Sequence, residues 1–329
     1  MEHSDGGAAA WLPHAQVRTR LHRERAQAAT AAPQQRRGGG ARQINERVAR
    51  GTFITKRLLA ALRRNDPSTR ALSFERHDLR ARDLVALAEV LQRNTSAQSL
   101  NMSLNGLTAL EARLLNAVLT HNKALCALRL GSNRKLAGEG IEWIAAALRS
   151  NTSLQQLDLQ DCKIGAQDLD AIVQALQANA DSALHCLGLR LNRFGFGDGL
   201  ARLVALDRLA VVDLRACNVG DAGVAVLCDA ISGAASLTAL DVPFNNFSDE
   251  GATKLAEILD SSGSALIALN LDYNDIGDRG ADALASALAA NRTLTSLNMA
   301  NNAVSSTAKA QLHRVWRASV TLYTLELAW

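Results

Sequence analysis

The sequence predicts an α/β solenoid, a stack of repeats that each contain one strand and one helix. A leucine pattern, L-x-x-L-x-L-x-x-N/C-x-L, recurs along the chain with starts 25 to 30 residues apart, and each copy passes from alternating to helical hydrophobic spacing. Self-similarity at such a fixed period is the sequence signature of repeat architectures. The pattern begins at Thr69, Ala97, Leu125, Leu154, Leu184, Leu209, Leu237, Leu266, Leu294 and, truncated, Leu322.

The repeat that begins at Leu266 shows how one unit is built. Residues 269–272 alternate between leucine and a polar residue, which is the period of two expected of a half-buried strand. Gly277 suits the turn that follows, and Asp278 is expected to be the N-cap of the next helix. The helix is predicted by an apolar stripe at i, i+3, i+4 and i+7, formed by Ala281, Leu284, Ala285 and Leu288.

One polar column recurs where each predicted strand ends and the chain turns inward. The backbone groups at this turn leave the strand ladder, and an Asn side chain offers them both a donor and an acceptor. We therefore interpret the column as structural and expect Asn274→Ala to cost stability without removing an activity. The column comprises Asn105, Asn133, Cys162, Asn192, Cys217, Asn245, Asn274 and Asn302.

The repeats resemble one known class. Asn and Cys share a column, and I-G-x-x-G opens the helix in "IGDRGADALASALAANRTL" (276–294), with a related pattern in "LAGEGIEWIAAALRSNTSL" (136–154). These features are similar to leucine-rich repeats of the ribonuclease-inhibitor class, which also occur in NOD-like receptor sensor arms and Ran GTPase-activating proteins. The resemblance covers about four fifths of the chain. It implies a horseshoe with parallel strands on the concave face and helices on the convex face.

Three segments are predicted. Residues 1–43 form a basic tail that we expect to be disordered, with a mitochondrial presequence and a nucleic-acid-binding arm as alternatives. Residues 44–68 form an N-terminal helical cap, because Ile54–Asn65 matches the helix half of a repeat. Residues 69–329 form a leucine-rich repeat domain of about nine repeats plus a final strand. Residues 1–66 carry thirteen Lys/Arg against five Asp/Glu, so the net charge of +4 combines a basic arm with a mildly acidic body.

Several function classes lack support in the sequence. There is no H-E-x-x-H, G-x-S-x-G or P-loop motif, and the glycine-rich stretch 193–203 lacks the last glycine of G-x-G-x-x-G, so neither an enzyme nor a cofactor is predicted. The five cysteines form no C-x-x-C pair, which favours a reducing compartment. No apolar run reaches the ~18 residues of a membrane span. We expect a cytoplasmic protein, with nuclear, ciliary or mitochondrial location left open.

Polar side chains on the predicted concave face are the candidate partner-binding residues. Neighbouring parallel strands lie ~4.8 Å apart, so Arg129 should pair with Asp158, and Asp213 and Asp241 become adjacent like charges. One interpretation is a solvated face on which Arg215 shields both acids. The other is that Asp213, Asp241 and Asp272 await a basic partner, with Phe244 and Tyr273 as apolar contacts at the rim. The full set is Arg129, Asp158, Arg190, Asp213, Arg215, Asp241, Phe244, Asn270, Asp272 and Tyr273.

The leading hypothesis is a non-catalytic protein–protein interaction scaffold, because concave solenoid surfaces are extended and suit protein ligands. The alternatives are a GTPase-activating protein that resembles the Ran-directed family, and a sensor or regulatory arm that acts in trans. The partner is predicted to be a protein, with a small GTPase and a cytoskeletal or ciliary protein as candidates; no membrane is expected, and nucleic acid is disfavoured. The last strand, 322–327, has three possible explanations: a truncated chain, a strand that itself serves as a minimal cap, or an edge for weak self-association.

Overall fold

The strands of the computed structural model form one parallel sheet in chain order. The structure describes residues 54–79, 81–195, 197–231, 236–260 and 264–327, so the predicted tail 1–43 and the first part of the predicted cap lie outside the described residues. Each strand pairs in register with the next. The strands are β1 (Ala71–Ser73), β2 (Ser99–Asn101), β3 (Ala127–Arg129), β4 (Gln156–Asp158), β5 (Cys186–Gly188), β6 (Val211–Asp213), β7 (Ala239–Asp241), β8 (Ala268–Asn270), β9 (Ser296–Asn298) and β10 (Thr324–Glu326).

One helix accompanies each strand in the described part of the chain. A helix precedes β1, and the others connect successive strands. The α-helices are α1 (Lys56–Arg63), α2 (Ala81–Leu91), α3 (Ala109–His121), α4 (Glu139–Leu148), α5 (Ala166–Ala178), α6 (Asp198–Val204), α7 (Gly220–Ile231), α8 (Asp249–Asp260), α9 (Asp278–Ala290) and α10 (Ser306–Ala318), and a 3₁₀ turn spans Pro67–Thr69.

The template leucines build a continuous core between the sheet and the helices. In the repeat that contains β8 and α9, both strand leucines and the whole predicted helical stripe are buried. The predicted α/β solenoid is therefore confirmed, with helices packed on one side of the sheet. Within the described residues, no helix is both long and apolar enough to cross a membrane. Association of β10 with a second copy stays a prediction.

The start of α9 differs from the sequence prediction. Its N-cap is Gly277, which has no side chain for capping, and Asp278 is already the first helical residue. The Asp278 carboxylate instead accepts a hydrogen bond from the Ser305 N–H at the start of α10, 2.7 Å away. Stacking of the repeats thus places this side chain within hydrogen-bonding distance of the start of the next helix. The prediction of Asp278 as the N-cap of α9 is therefore wrong.

The same inter-repeat capping explains the I-G-x-x-G motif. The Asp249 carboxylate at the start of α8 accepts hydrogen bonds from the N–H groups of Gly277 at 2.7 Å and Gly280 at 2.8 Å. A Cβ at Gly280 would lie 2.7 Å from Asp249 Oδ1 and 2.8 Å from the Ala252 Cβ. The second glycine of the motif thus permits the close approach of neighbouring repeats.

Gly280→Ala is expected to lower the free energy of unfolding by about 1–3 kcal/mol, the usual cost of overpacking a dense core. Chemical denaturation measures the change. The matched control is Gly197→Ala, because a Cβ at Gly197 meets no atom within 4 Å. Equal stability of the two variants would contradict the role assigned to Gly280.

A second row of asparagines, outside the predicted column, lies where the helices return to the strands. Asn122 Nδ2 donates to the carbonyls of Leu91 and Asn94 in the preceding repeat, while its Oδ1 accepts from the Leu125 N–H at 2.7 Å. In the short repeat that contains α6, the Arg208 guanidinium donates to the corresponding carbonyls of Leu176 and Asn179. The motif N-T-S or N-R-T marks three members of this row in the sequence, Asn94, Asn151 and Asn291. The full row comprises Asn94, Asn122, Asn151, Asn179 and Asn291.

Candidate functional site

The asparagine column fixes the backbone at the end of every strand. Asn274 Oδ1 accepts a hydrogen bond from the Asn245 N–H at 2.9 Å, and its Nδ2 donates to the carbonyls of Val242 at 3.1 Å and Leu271 at 3.0 Å. Each side chain therefore links its own repeat to the preceding one. Related bonds are made by Asn105, Asn133, Asn192, Asn245 and Asn302.

The two cysteines of the column occupy the same place with a thiol. The Sγ atoms of Cys162 and Cys217 donate to the carbonyls of Leu130 and Leu189, at 3.3 Å in each case. Burial raises the pKa of both thiols to about 12. Because a thiolate is the nucleophilic form of cysteine, these two side chains are unreactive near neutral pH.

The residue before each column position has a left-handed backbone. This conformation is uncommon for residues other than glycine, and bulky side chains rarely adopt it. It turns the side chain outward along one edge of the concave face. We call this the rim row; it comprises Leu104, Ser132, Asp161, Leu191, Ala216, Phe244, Tyr273 and Asn301, with φ between 49° and 60°.

The rim row carries an exposed aromatic pair. Phe244 and Tyr273 follow the adjacent strands β7 and β8, and they are 42% and 48% exposed. Their rings stack with centroids 4.2 Å apart and planes 11° from parallel. Leu191, in the same row after β5, is also exposed. The stack and Leu191 therefore give this edge a strongly apolar section.

Three carboxylates in the centre of the concave face are buried. Asp158, Asp213 and Asp241 are only 6–8% exposed. Asp158 accepts a hydrogen bond from the Gln160 N–H and Asp213 accepts one from the Arg215 N–H, both at 3.0 Å. The expectation that Asp213 and Asp241 present free carboxylates to a basic partner is therefore wrong, because these groups bond within the sheet and lie away from solvent.

Asp241 differs from the other two acids because the residue two positions on is Pro243, which has no N–H to donate. Its Oδ1 instead accepts a hydrogen bond from Asn270 Nδ2 at 2.6 Å. Burial and the adjacent Asp213 carboxylate raise the pKa of Asp241 to about 7, against the opposing effect of Arg215. We therefore expect this carboxyl to change its protonation state near neutral pH.

Asp241→Asn is expected to change how stability depends on pH. In the unfolded chain the carboxyl ionises near its ordinary pKa of 3.8, whereas in the folded chain it keeps its proton up to about 7. The wild-type protein should therefore lose stability relative to the variant as pH rises through this window, and the difference should stay constant above it. Denaturation at a series of pH values measures the effect, and parallel curves for the two proteins would contradict it.

The arginines lie over these acids. Arg215 Nη2 is 4.0 Å from Asp241 Oδ1, and Arg190 Nε donates to Gln160 Oε1. The register sets Arg129 beside Asp158. Burial lowers the pKa of the Arg129 guanidinium, and the Asp158 carboxylate partly offsets this effect. The accessible charges in the middle of the face are thus the guanidinium groups.

The structure brings most of the predicted partner-binding residues together. One cluster extends from β5 to β8 and contains Arg190, Asp213, Arg215, Asp241, Phe244, Asn270, Asp272 and Tyr273. Asp272 is half-buried and accepts a hydrogen bond from Asn301 Nδ2 at 2.9 Å. Arg129 belongs to β3, four strands from β7, and therefore lies outside this cluster.

Known proteins share these repeats. A family model described as "Leucine Rich repeat" matches residues 150–173, 233–256, 266–285 and 290–307. Human "NACHT, LRR and PYD domains-containing protein 5" is 29% identical over 243 residues, which cover 72% of this chain and 20% of that protein. Mouse ribonuclease inhibitor is 27% identical over 278 residues, which cover 82% of this chain and 60% of the inhibitor. The chain thus spans only part of the length of both relatives.

A solved structure agrees on the fold. The leucine-rich repeat-containing protein LegL7 from Legionella pneumophila has a TM-score of 0.50 at 19% identity, over 78% of this chain and 81% of that one. Relatives with such repeats suggest a protein-interaction scaffold. The sheet, the asparagine column and the comparisons agree: the chain contains leucine-rich repeats, and these repeats are similar to those of the ribonuclease-inhibitor class.

Proposed function

We propose that this chain is a non-catalytic scaffold that binds a protein partner on its concave face and the adjoining rim row. The observation that carries the proposal is the exposed Phe244–Tyr273 stack. Nine large hydrophobic side chains are exposed in the described part of the chain, and four of them, Leu104, Leu191, Phe244 and Tyr273, belong to the rim row. Exposed apolar side chains are therefore concentrated on one edge of the concave face.

Aromatic residues are the anchors that most often dominate protein interfaces, especially where polar groups surround them. Phe244 and Tyr273 have such surroundings, because Asp272, Asn301 and Arg215 lie on the same or neighbouring strands. The typically non-catalytic character of leucine-rich repeat and ribonuclease-inhibitor-like families also supports the proposal. A GTPase-activating role stays a prediction.

The double variant Phe244→Ala/Tyr273→Ala is expected to lose capture of the partner while it keeps its folded state. Wild-type protein and variant serve as baits in parallel affinity purifications from the source cell. The control is Leu110→Ala, which removes an exposed leucine from α3. A protein recovered stoichiometrically by wild type and control and lost by the double variant supports the proposal. Recovery of the same proteins by all three baits contradicts it, and a recovered small GTPase would direct assays towards the alternative.

A further inference from the structure

The centre of the concave face, from β3 to β7, exposes positive charge only, as far as the described residues show. Its three acids, Asp158, Asp213 and Asp241, are buried, whereas Arg190 is half-buried and the Arg215 side chain is 35% exposed. Direct contacts with a partner's charged groups would therefore be made by the guanidinium groups. The exposed charges therefore favour an acidic partner, whereas the sequence hypothesis was a basic partner.

The two central arginines retain hydrogen-bonding capacity. A guanidinium has five N–H donors and no acceptor. Arg215 Nη2 lies 4.0 Å from Asp241 Oδ1, too far for a normal hydrogen bond, whereas Arg215 Nε is buried and out of a partner's reach. Arg190 uses its Nε on the neutral Gln160 amide. A carboxylate from outside would find donors on both side chains.

We propose that the surface around Arg190 and Arg215 binds an acidic peptide segment of the protein partner. A carboxylate of the segment would lie on the two guanidinium groups, and a neighbouring apolar side chain would pack on the Phe244–Tyr273 stack. This inference rests on the proposed function, because the aromatic anchor is the same, and it adds the chemistry of the partner.

The spacing of the strands suits one short segment. Arg190 and Arg215 follow the adjacent strands β5 and β6, which are ~4.8 Å apart, so one carboxylate can reach both side chains. Phe244 follows β7, one strand further. An extended peptide advances about 3.3 Å per residue, so an acidic residue and an apolar residue one to three positions apart span this distance.

A nucleic acid fits the same surface less well. Its affinity depends on many phosphate contacts, whereas the positive charge of Arg129, Arg190 and Arg215 is offset at long range by the three buried acids. The Phe244 and Tyr273 rings already cover each other, so no base can stack between them. A single carboxylate, by contrast, gains short-range bidentate bonds to arginine.

Asp241 gives the proposed binding a pH dependence. The groups around its carboxyl are Asp213, Arg215, Arg190 and Asn270. A peptide carboxylate on the arginines would repel an ionised Asp241 and so favour its protonated form, whose pKa is already about 7. Binding should therefore take up a proton and be tighter at about pH 6 than at about pH 8. The difference should be smaller in Asp241→Asn, where the remaining buried acids, Asp213 and Asp158, also have pKa values raised by burial.

The test begins with a display library of random twelve-residue peptides, selected on the full chain. Peptides rich in Asp and Glu with an aromatic or aliphatic residue nearby are expected. Enrichment of Lys and Arg, or no enrichment, would overturn the inference. Basic peptides whose binding still depends on Phe244 and Tyr273 would leave the proposed function standing, whereas acidic peptides indifferent to both aromatics would remove its anchor.

The selected peptide is then titrated by fluorescence anisotropy against folded variants. Arg190→Gln and Arg215→Gln should each bind about tenfold more weakly, as expected for loss of a charged contact, and Arg314→Gln on α10 is the control. If Arg215→Gln does not fold, because the buried acids beneath Arg215 lose their neighbouring positive charge, Arg190→Gln alone still tests the inference. Unchanged affinity in a folded Arg190→Gln, or displacement of the peptide by an equal concentration of a twelve-nucleotide oligouridine, would overturn the inference.

Discussion

Phe247→Ala is expected to lower the free energy of unfolding by about 3–5 kcal/mol, the largest effect of any single truncation proposed for this chain. Phe247 is fully buried and is the largest of the completely enclosed side chains. Its ring packs against Gly251, where an added Cβ would lie 3.0 Å from Phe247 Cδ2. A backbone held this close cannot readily fill the space that the ring leaves. Chemical denaturation measures the loss.

Phe244 provides the matched control three residues away in the same repeat. Its side chain is exposed, and Ala216 already occupies the equivalent left-handed position after β6. Phe244→Ala should therefore change stability by no more than about 0.5 kcal/mol, as for an ordinary surface substitution. Equal losses in the two variants would show that the aromatic stack belongs to the core and would weaken its assignment as a binding anchor.

Asn274→Ala is expected to cost about 3 kcal/mol, the upper end of the range for an unsatisfied buried group. The truncation removes the partner of four backbone groups: the Asn245 N–H and the carbonyls of Val242, Leu271 and Asp272. Because these groups lie between repeats, water cannot replace the amide without opening the stack. Equilibrium unfolding in urea measures the loss.

Asn274→Cys tests whether the hydrogen bonds or the volume of the side chain matter. The chain places Cys162 and Cys217 in the same column, where each thiol donates to a carbonyl of the preceding repeat. The cysteine variant should therefore recover part of the stability lost in Asn274→Ala. If both variants are as stable as the wild type, the column does not hold the repeats together.

The fold could be predicted from the sequence because the same strand and helix patterns recur in successive repeats. Leu269 and Leu271 alternate with polar residues, the stripe from Ala281 to Leu288 follows the helical period, and both patterns recur in every unit. The register follows from the repeat itself, since equivalent residues pair between neighbouring strands. A missed cap such as Asp278 changes none of this.

The site was only partly accessible from the sequence because its chemistry depends on distances between repeats. Period and register indicate that Asp213 and Asp241 are neighbours, but not that both are buried under arginine side chains. The sequence also shows Pro243. Its importance emerges only from the structure, where Asp158 and Asp213 each accept a hydrogen bond from the N–H two residues later, a donor that Asp241 lacks. Phe244 and Tyr273 were predicted as apolar contacts at the rim, but single-sequence patterns reveal neither their positive φ nor the stacking of their rings.

The asparagine column also has a consequence for the thermodynamics of association. The Asn245–Asn274 bond joins the backbones next to Phe244 and Tyr273, and the two rings rest on each other. The Phe244 and Tyr273 side chains therefore lose most of their conformational entropy when the protein folds, before a ligand binds. A partner that docks there meets a preorganised anchor, so little of its binding free energy is consumed in ordering these side chains.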